Sequence, residues 1–135
     1  MSASRPLTGL TVVSLEQAVA APYCSSRLGD AGARVIKIER AEGDFARGYD
    51  KAAKGLSSYF VWLNRGKQSL VADIKKPEDS ALLHRILSNA DVFIQNLAPG
   101  AAARSGFGSE ELRAKYPRLI TVDISGYGES GDYAT

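Results

Sequence analysis

Residues 9–40 constrain the fold of this chain more than any other part of the sequence. A nearly continuous apolar run over residues 10–15 predicts a strand that is covered on both faces. Pro22 is placed to begin a helix, and Arg34–Glu39 predicts a second strand. A strand, a helix and a strand in this order form a βαβ unit with parallel strands and a right-handed crossover.

The rest of the chain continues the alternation of strands and helices. Further strands are predicted over residues 69–74, 91–97 and 119–124, and helices over 77–90 and 108–116, with Ser109 as the cap of the last helix. Residues 41–68 are predicted to form a long loop with one helical turn at 59–63. This order predicts an α/β fold, a Rossmann-like parallel sheet with flanking helices. The last strand has no returning helix, which predicts that residues 1–135 are an incomplete part of a larger domain.

Composition and charge exclude several classes of protein. A chain of 135 residues fits one domain, and 44% hydrophobic with 24% charged residues is typical of a globular protein. A net charge of +2 gives no argument for a nucleic-acid partner. No apolar run is long enough to span a membrane, and residues 1–10 lack the apolar core of a secretion signal. The single cysteine, Cys24, fits a reducing compartment, so we expect a cytoplasmic protein.

The turn after the first strand lacks the glycine pattern of a dinucleotide site. It reads EQAVAAP over residues 16–22, where a G-x-G-x-x-G pattern would let the backbone approach a pyrophosphate. Pro22 also removes one N–H group from the start of the helix. NAD or FAD in the usual pose is therefore not expected. The small side chains suit either a ligand lying on the turn or close packing of the helix on the strand.

Basic residues are predicted to gather at the carboxyl edge of the sheet. Arg40 follows the second strand, Lys75 ends the third, and Arg104 follows the fourth. Parallel strands end at one edge, so these side chains can converge on one anion or can simply be solvated. An arginine at this position suits a phosphorylated ribose, as in NADP or coenzyme A. Five more cations lie in the long loop: Arg47, Lys51, Lys54, Arg65 and Lys67.

No familiar catalytic or metal-binding set is present in the sequence. The patterns G-x-S-x-G, C-x-x-C and H-E-x-x-H are absent, so the catalytic residues are unknown and no metal is expected. His84, the single histidine, is predicted to be solvated on the polar side of its helix. Asn96 follows a strand, where its amide can contact a ligand or cap a turn.

Five blocks of the sequence together resemble a known family: PLTGLTVVSLEQAVAAP, LGDAGARVIKIER, NRGKQSLVADIKKPED, ADVFIQNLAPGAAARSGFG and LITVDISGYGESG. In this order and spacing they resemble the N-terminal part of family III CoA-transferases, which include formyl-CoA transferase, carnitine CoA-transferase and α-methylacyl-CoA racemase. The resemblance implies the CoA-binding domain of a two-domain enzyme that forms an interlocked homodimer. It implies transfer of CoA between an acyl-CoA and a carboxylic acid, with CoA as substrate and no permanently bound cofactor.

The resemblance also implies which residues contact CoA. Val19 and Ala20 would contact it from the first turn, Arg40 would face the phosphorylated ADP, and Arg104 would bind a phosphate. The remaining implied contacts run along the nucleotide and flank the pantetheine: Ala72, Asp73, Ile74, Lys75, Asn96, Leu97 and Ala98. The family's nucleophilic aspartate and second domain fall beyond residue 135, so this part is expected to bind CoA without performing catalysis.

Three other functions fit parts of the same pattern. A racemase of the same family would use the CoA domain for proton transfer. A stand-alone nucleotide-binding or dimerisation module would need no catalytic group. An NADP-dependent reductase domain would use Arg40 for the phosphorylated ribose, although the glycine-free turn argues against it.

Overall fold

A computed structural model describes residues 4–134; Met1, Ser2, Ala3 and Thr135, the ends of the predicted domain, lie outside the described residues. The strands are β1 (Thr11–Leu15), β2 (Arg34–Glu39), β3 (Gln68–Val71), β4 (Val92–Gln95) and β5 (Ile120–Asp123). The α-helices are α1 (Ala20–Asp30), α2 (Ser58–Asn64), α3 (Pro77–Leu87), α4 (Ala101–Arg104) and α5 (Ser109–Lys115). Within residues 4–134, none of the helices is long and apolar enough to cross a membrane.

The five strands form one parallel sheet in the order β3-β2-β1-β4-β5. The central strand β1 is flanked on both sides, and its Val13 pairs with Ile36 of β2 and with Phe93 of β4. The predicted α/β fold is confirmed. The chain winds outward from β1 in both directions, and sheets of this kind bind ligands at the carboxyl ends of their strands.

The two faces of the sheet differ in character. The face under α3 and α5 is a continuous apolar core in which Phe93, Leu83 and Leu112 are fully buried. The face under α1 is apolar toward the amino ends of β1 and β2, where Val12 and Val35 pack, and along β4, where Ile94 is buried. Toward the carboxyl ends the same face carries buried polar side chains, namely Ser14, Glu16, Lys37 and Glu39. The polar half of this face therefore lies at the carboxyl ends of β1 and β2.

Strand β3 ends at Val71, three residues earlier than predicted. Ala72 still donates its N–H to the Glu39 carbonyl at 2.9 Å, but the chain then turns toward α3. The Asp73 N–H donates to the Asp79 carboxylate at 2.9 Å, and the Asp73 carboxylate accepts the Lys75 N–H at 3.0 Å. After Ala72, hydrogen bonds to the start of α3 therefore take the place of further pairing with β2. Lys75 lies in a loop instead of ending a strand.

The segment predicted as a long loop contains more helix than expected. A 3₁₀ helix, Phe45–Gly48, is capped by Asp44, and α2 is capped by Ser57, whose hydroxyl accepts the Phe60 N–H at 3.3 Å. The Asp50 carboxylate also accepts the Ser58 N–H at 2.9 Å. These caps stabilise the two helices, because each satisfies N–H groups that a helix leaves without partners at its start.

Two predicted side-chain roles are wrong. Ser109 does not cap α5; the cap position is Gly108, and the Ser109 hydroxyl donates to the Asp123 carboxylate at 2.5 Å. His84 is half-buried instead of solvated, because its ring stacks on Phe107 with centroids 4.8 Å apart. Burial lowers the pKa of His84 below its ordinary value, and the nearby positive charge of Lys115 lowers it further.

Candidate functional site

A cleft of about 330 Å³ opens at the carboxyl ends of β1, β2 and β3. Its apolar lining consists of Leu15, Ile38, Ala72, Ile74 and Leu97. Its polar lining consists of Glu16, Gln17, Glu39, Arg40, Glu42, Gly43, Asp44, Asp73 and Lys75. The cleft therefore lies where parallel α/β sheets bind ligands, and it combines an apolar surface with charged groups.

Six of the eleven residues predicted to contact CoA line this cleft: Arg40, Ala72, Asp73, Ile74, Lys75 and Leu97. Val19 and Ala20 are exposed at the start of α1, next to Gln17, which does line the cleft. Ala98 lines a second cavity, of about 570 Å³, at the carboxyl ends of β4 and β5. The predicted set is therefore divided between a main group around the cleft and a smaller group along its borders.

Two cations at the cleft are available to an anion. Arg40 follows β2 in a tight turn in which Gly43, with a φ of 79°, donates its N–H to the Arg40 carbonyl at 2.8 Å. Arg40 and Lys75 are exposed, and neither forms an ion pair with a carboxylate of residues 4–134. The Arg40 Nε donates to the Gly43 carbonyl at 3.3 Å. Arg104 does not line this cleft, and its guanidinium donates to the Pro99 carbonyl at 3.4 Å. The structure thus brings two of the three predicted cations to one cleft.

The Asn96 amide holds the turn after β1. Its Nδ2 donates to the Gln17 carbonyl at 2.9 Å, and its Oδ1 accepts the Gln17 N–H at 2.9 Å. Both ends of the amide are therefore engaged with one backbone residue. Of the two roles that the sequence left open for Asn96, the structure shows the turn-holding one.

Three of the five cations predicted in the long loop form internal ion pairs: Arg47 with Glu39 at 2.8 Å, Arg65 with Asp30 at 2.8 Å and Lys67 with Glu16 at 2.6 Å. Burial by itself would raise the pKa of Glu39. Hydrogen bonds from Arg47, Ser69 and the Asp44 N–H outweigh that effect and lower the pKa to about 2. Much of the positive charge in this segment therefore stabilises the fold and is not presented to a ligand.

Four buried charged side chains form a cluster beneath the turn after β1: Glu16, Lys37, Asp44 and Lys67. The Lys37 Nζ lies 2.8 Å from Asp44 Oδ2 and 3.4 Å from Glu16 Oε1, and the Lys67 Nζ lies 2.6 Å from Glu16 Oε1. Two cations and two carboxylates give the cluster no net charge. Burial lowers the pKa of Lys67, and the Glu16 carboxylate partly opposes that change.

Hydrogen bonds complete the cluster. Glu16 Oε2 accepts the hydroxyls of Ser14 at 2.5 Å and Ser25 at 2.6 Å. Within residues 4–134, no buried side-chain nitrogen or oxygen lacks a hydrogen-bond partner. The sequence patterns did not predict this cluster, although one indication of buried charge was present. Lys37 lies in the middle of an apolar strand, and a buried charge requires a partner.

The parallel sheet, its strand order β3-β2-β1-β4-β5 and its flanking helices place this protein in the class of Rossmann-like α/β domains.

Comparison with known proteins identifies the family within this class. The profile of CoA-transferase family III matches residues 7–135. The chain is 40% identical to the succinate–glutarate CoA-transferase of Agrobacterium fabrum, in an alignment that covers 96% of this chain and 34% of that protein. It is 35% identical to the succinyl-CoA:glutarate CoA-transferase of Homo sapiens, over 97% of this chain and 30% of that protein. The chain therefore belongs to CoA-transferase family III, as its sequence blocks predicted.

A solved structure agrees with this assignment. The crystal structure of a CAIB/BAIF family protein from Brucella suis superimposes with a TM-score of 0.89 and 39% sequence identity. The superposition covers 98% of this chain and 36% of that chain. This chain thus spans about a third of the length of the relatives that it matches.

Proposed function

We propose that the protein takes part in CoA transfer between an acyl-CoA thioester and a carboxylic acid, and that the cleft binds the nucleotide end of CoA. Family membership and the names of the relatives support the reaction class. The observation that carries the binding role is the position of Arg40 and Lys75. Both are exposed cations without an ion-pair partner in residues 4–134, and both lie beside an apolar surface at the sheet edge where nucleotides bind in this fold.

The cleft suits the parts of a phosphorylated ADP. An adenine ring is flat and largely apolar, and Leu15, Ile38 and Leu97 offer it an apolar surface. The guanidinium of Arg40 can grip the ribose phosphate with two parallel hydrogen bonds, and Lys75 adds a second positive charge. In this proposal residues 72–75 run along the nucleotide.

The bordering residues have proposed roles along the rest of the coenzyme. Val19 and Ala20 contact CoA from the start of α1, and Leu97 and Ala98 flank the pantetheine. Asn96 acts through the Gln17 backbone that it holds, and Arg104 supplies a phosphate contact on the β4 side. We expect the transfer chemistry to lie outside residues 1–135, since the resemblance implies a nucleophilic aspartate beyond residue 135. An interlocked homodimer and a cytoplasmic location are further parts of the proposal and rest on the resemblance and on the lone cysteine.

We expect the protein to bind CoA, and to bind dephospho-CoA at least about tenfold more weakly, in isothermal titration calorimetry. Dephospho-CoA lacks the ribose phosphate, and a hydrogen bond to a charged group contributes about 1.5–3 kcal/mol. Adenosine 3′,5′-bisphosphate should compete with CoA, because it carries the same phosphorylated nucleoside.

NADP⁺ is the control ligand for this titration, because it tests the reductase alternative. Binding of NADP⁺ with higher affinity than CoA would contradict the proposal and favour a nicotinamide site. Equal affinities for CoA and dephospho-CoA would show that Arg40 does not bind the ribose phosphate. An absence of binding by any CoA species would overturn the proposal.

A further inference from the structure

Side chains from distant parts of the chain hold three consecutive residues of the turn after β1. The Glu16 carboxylate is buried against Lys37 and Lys67. The amide of Asn96 clamps both backbone groups of Gln17. The N–H of Ala18 donates to Asp44 Oδ1 at 3.0 Å. The conformation of this turn is therefore determined by side chains that lie outside it in the sequence.

Ala18 has a backbone conformation that an alanine rarely adopts. Its φ is 64°, in the left-handed region, where the Cβ of an L-residue approaches the following carbonyl oxygen. Glycine would enter this region without that penalty, but this turn contains no glycine. An alanine persists there only if surrounding contacts hold it. The hydrogen bond to Asp44 is the side-chain contact that the structure shows for the Ala18 N–H.

The Asp44 side chain is itself firmly held. It is 5% exposed, and its Oδ1 accepts the Ala46 N–H at 2.9 Å in addition to the N–H of Ala18. Its Oδ2 accepts a charged hydrogen bond from Lys37 at 2.8 Å. One carboxylate thus links the 3₁₀ helix, the middle of β2 and the turn. A buried carboxylate with these partners has little freedom to release Ala18.

We infer that Asp44 is a positioning residue for CoA binding. Asp44 keeps the backbone of Ala18 left-handed, so that Gln17 lines the cleft and residues 19 and 20 lie at the exposed start of α1. This inference rests on the proposed function, because the turn is proposed to contact the coenzyme. Asp44 acts through the backbone of the turn. Loss of its carboxylate should weaken CoA binding by depopulating the binding conformation of the turn.

The test combines a truncation with a rescue. Asp44→Ala should raise the Kd for CoA about fivefold to tenfold, given the usual penalty of a left-handed alanine. Adding Ala18→Gly to Asp44→Ala should restore the Kd to within about twofold of the wild-type value, because glycine adopts this conformation unaided. The matched control is Asp50→Ala, which removes a carboxylate from the same long segment but contacts α2 and not the turn. Its CoA affinity should stay within about twofold of wild type.

Hydrogen exchange at the Ala18 amide provides a readout without ligand. The amide should be protected in the wild type and should lose protection in Asp44→Ala. Should Asp44→Ala fail to fold, the double variant Lys37→Met, Asp44→Ala carries the same test. It also removes the lysine that would lose its 2.8 Å partner, so that Glu16 and Lys67 remain as a balanced pair.

Two results would overturn the inference: unchanged Kd and unchanged exchange at Ala18 in Asp44→Ala, or a raised Kd that Ala18→Gly does not rescue. Failure of the proposed function has a different signature. In that case the wild-type protein itself does not bind CoA, and the Ala18 exchange still decides whether Asp44 holds the turn.

Discussion

Replacing Lys37 with methionine is expected to lower the free energy of unfolding by about 3–5 kcal/mol. Methionine matches the length and the apolar stem of the lysine but removes its charge. The buried cluster then holds two carboxylates, Glu16 and Asp44, and a single cation, Lys67. A buried charge without a partner is strongly destabilising, and Asp44 would lose its 2.8 Å ion pair. Urea denaturation followed by circular dichroism measures the change.

Two further variants distinguish charge from packing. Lys51→Met removes an exposed lysine of the same long segment and should change stability by about 0.5 kcal/mol or less. Lys37→Met combined with Asp44→Asn restores the charge balance, and asparagine keeps an oxygen that can accept the Ala18 N–H. The double variant should recover about 1 kcal/mol or more relative to the sum of the single effects. If the single effects simply add, the cluster does not act as a unit.

Replacing Arg40 with glutamine is expected to raise the Kd for CoA by about tenfold to a hundredfold. The guanidinium is the proposed partner of the ribose phosphate, and glutamine offers neither its charge nor its paired donors. The effect should be much smaller for dephospho-CoA, because that ligand lacks the phosphate. Titration of CoA and of dephospho-CoA into the wild type and into Arg40→Gln measures the coupling energy between Arg40 and the ribose phosphate.

Strand β2, which Arg40 directly follows, supplies the control for this prediction. Arg34 begins β2 at the amino edge of the sheet, it is exposed like Arg40, and its Nε donates to Gln68 at 2.6 Å. Arg34→Gln removes an equal charge from the opposite edge and should leave the Kd for CoA within about twofold of wild type. Equal losses from both variants would show that CoA responds to overall charge and not to a site at the carboxyl edge.

The sequence predicted the architecture well. Apolar runs and helix signals located the five strands, and their alternation with helices predicted a parallel sheet, so Arg40 could be placed at its carboxyl edge. The strand boundary at Lys75 was wrong because a hydrogen bond between Asp73 and Asp79 ends β3 early. That contact depends on the start of the next helix, which a strand pattern does not contain.

The buried cluster and the left-handed alanine could not be placed from local patterns. The partners of Lys37 lie 21 residues before it and 7 residues after it, and the partner of Ala18 lies 26 residues away. Ala18 is left-handed although the turn contains no glycine, and no local pattern marks an alanine for that conformation. Only the folded structure shows that the Asp44 carboxylate accepts the Ala18 N–H and so supports the left-handed conformation of Ala18.

The central claim, that CoA binds in the cleft at the carboxyl edge, is tested most directly by mapping amide chemical shifts in the ¹H–¹⁵N spectrum during a CoA titration. The amino edge offers an internal control, since a separate cavity at that edge is lined by Arg34, Gln68 and Arg85. We predict that the largest shift changes fall on Gln17, Arg40 and residues 73–75, with little change at the amino edge. Shift changes concentrated at Arg34, Gln68 and Arg85, or none anywhere at saturating CoA, would contradict the account.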